Sequence, residues 1–125
     1  MADFENIAKQ FVEYYYKTFD NDRTQLAPLY GEDSMLTFEA APHQGVASIV
    51  GKLQDLPFEQ VQHQVSTLDA QPADATGAIL VVVSGVLLVE AEQRPMSYTQ
   101  TFHLKPKDGS YYVFNDIFRL VYPAA

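Results

Sequence analysis

The sequence contains no cysteine, and its eight lysines and arginines are outnumbered two to one by sixteen aspartates and glutamates. The absence of cysteine excludes disulfide bonds, a thiol nucleophile and thiolate metal ligands, and it suits a reducing compartment such as the cytosol or nucleus. The formal net charge of −8 argues against binding to nucleic acid or to an anionic membrane. It favours partners with basic protein surfaces.

Long apolar runs are also missing. No stretch approaches the roughly 20 apolar residues that span a bilayer, and the first residues lack the charged-then-apolar pattern of a secretory signal. No internal repeat or low-complexity tract is visible. With 125 residues, 47% of them hydrophobic, the chain is interpreted as a single domain over residues 1–125 that buries one core.

The most hydrophobic segment runs from Ala78 to Glu92. Its β-branched residues favour an extended backbone, and the lack of polar–apolar alternation indicates a central strand covered on both faces. Gly85 predicts a bulge or bend that would curve the sheet. The segment ends in Glu90 and Glu92, whose spacing places both carboxylates on one face of a strand.

The rest of the chain supplies three helices and further strands. Apolar residues at three- and four-residue spacing predict a long amphipathic helix over residues 3–19. A shorter helix over residues 22–30 is expected to be of 3₁₀ type because Pro28 disrupts a regular helix, and a third helix covers 47–56. An antiparallel sheet completes an α+β fold, with strands at 34–39, 44–46, 60–71, 78–92, 96–105 and 110–122.

The last strand is apolar on both faces, whereas the three helices cover only one face of a sheet. Alternation along it predicts that Val113 and Ile117 share one face, opposite Phe114 and Phe118. Soluble monomers avoid a large uncovered apolar face. We therefore expect a second copy to cover this face as an isologous dimer, with His63, Val113 and Ile117 at the interface.

Few residues are candidates for catalysis. Asp116 lies between aromatic residues, where a raised pKa would suit general acid–base chemistry; the alternative is a structural carboxyl that accepts hydrogen bonds or pairs with an arginine. His63 is a second candidate base, or else a core or interface imidazole. The three histidines lack metal-ligand spacing, and no phosphate loop, Gly-x-Ser-x-Gly or His-Glu-x-x-His motif occurs. We expect no metal, no cofactor and no enzymatic activity.

A protein-binding surface has more support. Glu39 follows Phe38 at the end of a short strand, and Glu90 and Glu92 end the central strand. If the two strand ends meet, three carboxylates surround an aromatic cavity lined by Phe38, Leu56, Phe58 and Phe118. Such a site would receive an apolar side chain of a partner flanked by lysine or arginine. The alternative is that the glutamates are solvated ends of strands.

Five runs of residues resemble the nuclear transport factor 2 family, in order and across essentially the whole chain. They are Phe-Asp-Asn-Asp-Arg-Thr-Gln-Leu at 19–26, Leu-Thr-Phe-Glu at 36–39, Leu-Pro-Phe-Glu-Gln-Val-Gln-His at 56–63, Asp-Ala-Gln-Pro at 69–72 and Asn-Asp-Ile-Phe-Arg-Leu at 115–120. The resemblance implies a cone in which a strongly curved antiparallel sheet wraps around the long N-terminal helix, with two shorter helices and a cavity. It also implies a homodimeric carrier that takes the GDP form of the small GTPase Ran into the nucleus.

The resemblance also implies roles for individual residues. In that family, a Ran aromatic side chain enters the cavity, and basic residues of Ran pair with acidic rim positions that match Glu39, Glu90 and Glu92. At the last two positions other members carry Asp. The family binds Phe-x-Phe-Gly repeats of nucleoporins through an aromatic residue that matches Phe4, where some members have Trp. The resemblance further implies a location in the cytoplasm and nucleus, with enrichment at the nuclear pore.

Two other functions are compatible with such a fold. Ketosteroid isomerases and scytalone dehydratase share the cone, so a small-molecule cavity enzyme that uses Asp116 or Asp69 is the alternative. An enzyme predicts a closed pocket and a raised Asp pKa, whereas a carrier predicts an open mouth with an ionised rim. A bare dimerisation module predicts no ligand for the cavity.

Overall fold

The computed structural model describes residues 3–56, 61–89 and 95–121, and the predicted order of elements is confirmed in these ranges. The helices are α1 (Phe4–Asn21), a 3₁₀ helix (Arg23–Leu29) that contains Pro28, and α2 (Val46–Gln54). The strands are β1 (Tyr30–Phe38), β2 (Ala41–Gln44), β3 (Val61–Pro72), β4 (Ile79–Val89), β5 (Met96–Lys107) and β6 (Ser110–Leu120). Within the described residues, no helix is both long and apolar enough to cross a membrane.

The six strands form one curved sheet in the order β2-β1-β6-β5-β4-β3. Neighbouring strands are antiparallel except for β1 and β6, which are parallel. The predicted antiparallel sheet is therefore confirmed apart from this one parallel pairing. Most of the chain lies between β1 and β6, so no tight hairpin forces them to run in opposite directions.

Helix α1 packs across the inner face of the sheet and supplies much of the core. Its buried residues recur every three or four positions, which places them on one side of the helix. The ring of Tyr15 meets that of Phe102 on β5 at 4.9 Å, edge to face. The core therefore lies between this helix and the concave side of the sheet.

A β-bulge at Phe114 sets which residues of β6 face the core. Val113 pairs with Leu104 and Asn115 with His103, so Phe114 is an extra residue that reverses the alternation. Val113 consequently points inward and is 0% exposed. The prediction that its side chain shares the outer face with Ile117, and hence reaches a dimer interface, is wrong.

Gly85 lies where β3 and β4 approach closely. The register of β3 shifts between Val65 and Thr67, opposite Gly85, so the bulge predicted from this glycine belongs to the neighbouring strand. A Cβ at Gly85 would lie 2.1 Å from the carbonyl oxygen of Gln64, closer than any real contact. Glycine is therefore required here by space.

Candidate partner-binding cavity

A cavity opens between helix α1 and the inner face of the sheet. Its volume is only about 10 Å³, so the side chains of its wall nearly fill it. Its lining is mostly apolar and comprises Tyr15, Phe19, Leu36, Phe38, Leu53, Val61, His63, Leu87, Gln100 and Phe118. An apolar pocket with a few polar groups suits the insertion of an apolar group from another molecule.

Phe38 and Phe118 form a stacked pair in the cavity wall. They lie opposite each other on the parallel strands β1 and β6, and their ring centroids are 4.7 Å apart with an angle of 7° between the planes. Phe118 also stacks on Tyr98 at 5.6 Å. Two of the four predicted cavity residues are thus brought together, and they present aromatic surface to an incoming side chain.

Glu39 directly follows this pair in the turn between β1 and β2. Its φ of +52° and the φ of +75° at Ala40 are left-handed values that reverse the chain within two residues. The Glu39 amide donates to the carbonyl oxygen of Phe118 at 3.1 Å, and its carboxylate accepts a hydrogen bond from the Leu120 amide. The predicted rim carboxylate is therefore held beside the aromatic pair.

Of the other predicted cavity and rim residues, the structure describes only Leu56. Leu56 lies just after α2 and is buried in the core cluster, but it does not line the cavity, where Leu53 of α2 lies instead; its prediction as a cavity residue is wrong. Phe58, Glu90 and Glu92 lie outside the described residues. Their assignment to the cavity and its rim stays a prediction.

His63 belongs to the cavity wall. Its Nδ1 atom lies 2.6 Å from Oδ1 of Asp20, and its amide donates to Oδ2 of Asp20 at 2.9 Å. The imidazole stacks on Tyr16 at 4.2 Å, and 3% of the side chain is exposed. The expectation that His63 lies at the dimer interface is therefore wrong, because β3 turns this side chain toward α1.

Asp116 lies behind the cavity, fully buried in a polar cluster. Its carboxylate accepts hydrogen bonds from the Tyr30 hydroxyl at 2.8 Å, the Gln100 amide at 2.8 Å and the Tyr15 hydroxyl at 3.2 Å. Burial raises the pKa of Asp116 to about 6, against the opposing effect of these donors. Burial also raises the pKa of Tyr15 and Tyr30 well above 10, so both phenols stay protonated and can donate.

This cluster favours the structural interpretation of Asp116 over the catalytic one. Its partners are neutral side chains from α1, β1 and β5, so it accepts hydrogen bonds, and no described arginine pairs with it. The hydroxyls of Tyr15 and Tyr30 also lie 2.5 Å apart and share one hydrogen bond, so the polar groups of the cluster are satisfied among themselves. Asp69, the other candidate acid, is exposed on β3 and does not line the cavity.

The outer face of the sheet carries exposed apolar side chains. Those with large exposed area on this face are Met35, Val82, Ile117 and Val121. Ile117, one of the predicted interface residues, is 51% exposed near the centre of the sheet. In the described part of the chain no helix covers this face, because α1 lies on the opposite one.

Phe4 is the first residue of α1. It is partly buried and packs against the core cluster, so part of its ring stays accessible. This placement is compatible with a core residue at the end of the helix and with a docking platform. Among the described residues, no group of three or more histidine, aspartate or glutamate side chains could hold a metal ion.

Comparison with known proteins identifies the family. Residues 7–120 match the model of the nuclear transport factor 2 domain. A relative from Davidiella tassiana, named nuclear transport factor 2, is 71% identical over 125 residues, which cover all of both chains. The chain belongs to the nuclear transport factor 2 family.

Solved structures agree with this family membership. Nuclear transport factor 2 from Cryptosporidium parvum superposes with a TM-score of 0.89 at 40% identity, covering 94% of each chain. A putative scytalone dehydratase from Novosphingobium aromaticivorans shares the fold alone, with a TM-score of 0.76 at 15% identity over 94% of this chain and 84% of that one. The names of the family members support a role in nuclear transport, on a fold that some enzymes share.

The sequence patterns did not reveal the polar partners of this family member's cavity residues. Asp20 is 43 residues from His63, and Tyr15 is 101 residues from Asp116. Tyr15 lies in the apolar stripe of α1, where its spacing indicated only packing. Asp20 lies near the end of the helix, where the sequence indicated only that the helix stops. No local pattern in the sequence signals such distant pairs.

Proposed function

We propose that this chain is a homodimeric nuclear import carrier that binds Ran in its GDP form and Phe-x-Phe-Gly repeats of nucleoporins. The observation that carries the proposal is the apolar cavity whose wall contains the Phe38–Phe118 stack, with the Glu39 carboxylate fixed beside it. It occurs in a chain that is 71% identical to a named nuclear transport factor 2 along its full length. The proposal assigns no cofactor and no catalytic residue.

The cavity takes an aromatic side chain of Ran when the side chains of its wall move apart. The rings of Phe38 and Phe118 provide flat apolar contact area, and Phe58 is assigned to the same lining. Burial of one aromatic side chain from water favours binding by about 2 kcal/mol or more. The acidic rim, formed by Glu39, Glu90 and Glu92, pairs with basic residues of Ran and speeds the encounter.

Nucleotide selectivity follows from the shape of the partner. A GTPase holds its switch loops differently in the GDP and GTP states, so an anchor carried on such a loop fits the cavity in only one of them. The discrimination equals the difference in contact free energy between the two states.

The proposed dimer uses the outer face of the sheet. Ile117, Val82 and Val121 give this face exposed apolar area, and a second copy in isologous contact covers it on both subunits at once. Of the residues first assigned to this interface, Ile117 is retained, whereas His63 and Val113 face inward.

Nucleoporin repeats bind at Phe4. Its partly accessible ring at the start of α1 offers an apolar platform to a Phe side chain of a repeat. Weak contacts of this kind dissociate quickly, which lets a carrier pass from one repeat to the next. The protein then works in the cytoplasm and nucleus, with enrichment at the nuclear pore.

The test is a calorimetric titration with Ran loaded with GDP and, separately, with GTP. The expected result is binding of the GDP form alone. Absence of binding to both forms would contradict the carrier function. A screen of the cavity with small apolar ligands, followed by NMR titration of Asp116, would then examine the enzyme alternative.

A further inference from the structure

Lys52 places a positive charge beside the aromatic pair of the cavity. It lies in the last turn of α2, and its Nζ atom is 5.6 Å from the centroid of the Phe38 ring. Phe38 in turn stacks on Phe118. The ammonium group is therefore held close to the position that the apolar anchor of the partner would occupy.

Among the described residues, no carboxylate neutralises this ammonium group. In the part of the chain that the structure describes, no carboxylate oxygen lies within 4.0 Å of the Lys52 ammonium group. Two described carboxylates lie near Lys52 or Phe38 in the sequence. Asp55 follows Lys52 by one helical turn, and Glu39 follows Phe38, but the Glu39 carboxylate accepts its hydrogen bond from the Leu120 amide instead.

A cation that contacts the Phe38 ring and has no carboxylate partner among the described residues is unexpected here if the site only receives positive charge. The chain carries a net charge of −8, and a lysine beside the anchor position opposes any basic side chain that approaches Glu39. The unfavourable contact disappears if the docked partner presents an anion at this point. Charges of both signs around an anchor also fix the direction in which a bound segment lies.

We infer that Lys52 pairs with a carboxylate side chain of the bound GTPase, next to the apolar anchor and on the side away from its basic residues. The inference rests on the proposed function and extends it. The rim then carries charges of both signs: Glu39 pairs with a cation of the partner, and Lys52 pairs with an anion. A partner with an apolar anchor and only basic neighbours binds less tightly than one that also carries the acidic group.

The sign of one effect separates this inference from general electrostatics. Changing Lys52 to glutamate makes an acidic protein more acidic, so attraction to a basic partner alone predicts tighter binding. Loss of a specific ion pair predicts weaker binding. The two explanations therefore differ in direction as well as in size.

The experiment is a calorimetric titration of GDP-loaded Ran with the full chain and three variants. Lys52→Met keeps the apolar stem over Phe38 without the charge, and Lys52→Glu reverses the charge. Lys9→Glu is the matched control, because Lys9 is exposed on α1 and distant from the cavity. It lies 11 residues, about 16 Å along the helix, from Asp20, which contacts the cavity residue His63. We expect about three- to tenfold weaker binding for Lys52→Met, a larger loss for Lys52→Glu, and less than about a twofold change for Lys9→Glu.

A charge-swap arm identifies the anion. Acidic surface residues of Ran are changed to lysine one at a time, and one of them is expected to restore binding to Lys52→Glu while weakening binding to the unchanged chain. Thermal unfolding and sedimentation check that each variant stays folded and associated, and Lys52→Met carries the test if Lys52→Glu does not fold.

The outcomes are distinguishable. If the unchanged chain binds Ran and both Lys52 variants bind as tightly or more tightly, the inference is wrong while the carrier function stands. If no single acidic residue of Ran compensates for Lys52→Glu, the ion pair is also refuted. If the unchanged chain does not bind Ran in either nucleotide state, the proposed function fails and the inference fails with it.

Discussion

The hydroxyl group of Tyr30 donates a 2.8 Å hydrogen bond to the carboxylate of Asp116, and both side chains are buried in the core. Tyr15 and Gln100 donate to the same carboxylate, so α1, β1 and β5 meet at one acidic group of β6. In the described residues, no cation pairs with Asp116. The cluster therefore links helix to sheet at the cost of burying an ionisable group.

The free energy of unfolding should depend on pH through Asp116. Its pKa is about 6 in the folded chain and near 3.8 when exposed, so between these values the folded state binds more protons. Protonated Asp116 contributes its full share to the free energy of unfolding below about pH 4. This contribution, about 3 kcal/mol in all, is lost as the pH rises through 6. Urea unfolding from pH 4 to pH 7.5, at constant protein concentration, measures it.

Asp116→Asn is the matched variant for this measurement, because it keeps the shape and removes the titration. The stability difference between the unchanged chain and Asp116→Asn should decrease as pH rises from 4 to 6 and stay constant above that. Two parallel stability curves would show that Asp116 does not titrate in this range. The lowered pKa values of Asp22 and Asp74 act below the window, so they do not obscure it.

Gly85→Ala should destabilise the fold strongly. The added Cβ would lie 2.1 Å from the Gln64 carbonyl oxygen and 3.1 Å from the Tyr98 ring, so strands β3 and β4 must separate. We expect a loss of more than about 3 kcal/mol, measured by thermal or urea unfolding. An unchanged stability would mean that the two strands are not this close.

Gly51→Ala is the matched control for the glycine at position 85. Gly51 lies within α2, and a Cβ there would meet nothing within 4 Å. Alanine should therefore stabilise the protein by about 0.5–1 kcal/mol through a less flexible unfolded chain and a better helix. The opposite signs of the two substitutions separate local space from the general effect of replacing glycine.

Ile117→Glu should abolish self-association. Ile117 is 51% exposed on the outer face of the sheet, where a charge would be buried between two copies without a partner. Sedimentation should show a monomer for this variant and a dimer for the unchanged chain. Tyr14→Glu provides the control, since Tyr14 is 55% exposed but lies on α1, and this variant should remain a dimer. A dimeric Ile117→Glu would exclude the outer face as the interface.

The fold was predictable where local patterns decide it. Three- and four-residue spacing located α1, and Pro28 indicated the 3₁₀ helix. The faces of β6 were not predictable, because the bulge at Phe114 reverses the alternation of Val113, and a bulge depends on the pairing with β5 rather than on β6 itself. The extra residue Phe114 thus turns Val113, a predicted interface residue, toward the core.

The candidate site was predictable where residues are adjacent in sequence. Phe38 and Glu39 follow each other, so a rim carboxylate beside an aromatic wall could be inferred from the strand end alone. The partners of His63 and Asp116 could not be inferred, because they come from distant helices and strands that meet only in the folded chain. Packing of α1 against the sheet decides these contacts.

Glu39→Lys should weaken binding of GDP-loaded Ran by about 2 kcal/mol or more if the rim pair is desolvated. Glu39→Gln is the sharper variant, because its amide oxygen can still accept from the Leu120 amide while the charge is lost. Calorimetry should show weaker binding for both variants, and sedimentation should show intact dimers. Loss of the dimer in Glu39→Gln would mean that Glu39 does not belong to the cavity rim.

Phe4 should control binding to nucleoporin repeats without affecting binding to Ran. Its ring is only partly buried at the start of α1, so Phe4→Ala removes the platform with little loss of core packing. We expect about five- to tenfold weaker binding to a Phe-x-Phe-Gly peptide for Phe4→Ala. Phe4→Trp should bind more tightly than the unchanged chain because the indole offers more contact area. Titration of each variant with GDP-loaded Ran is the control, and a parallel loss of both activities would indicate that Phe4 supports the fold instead.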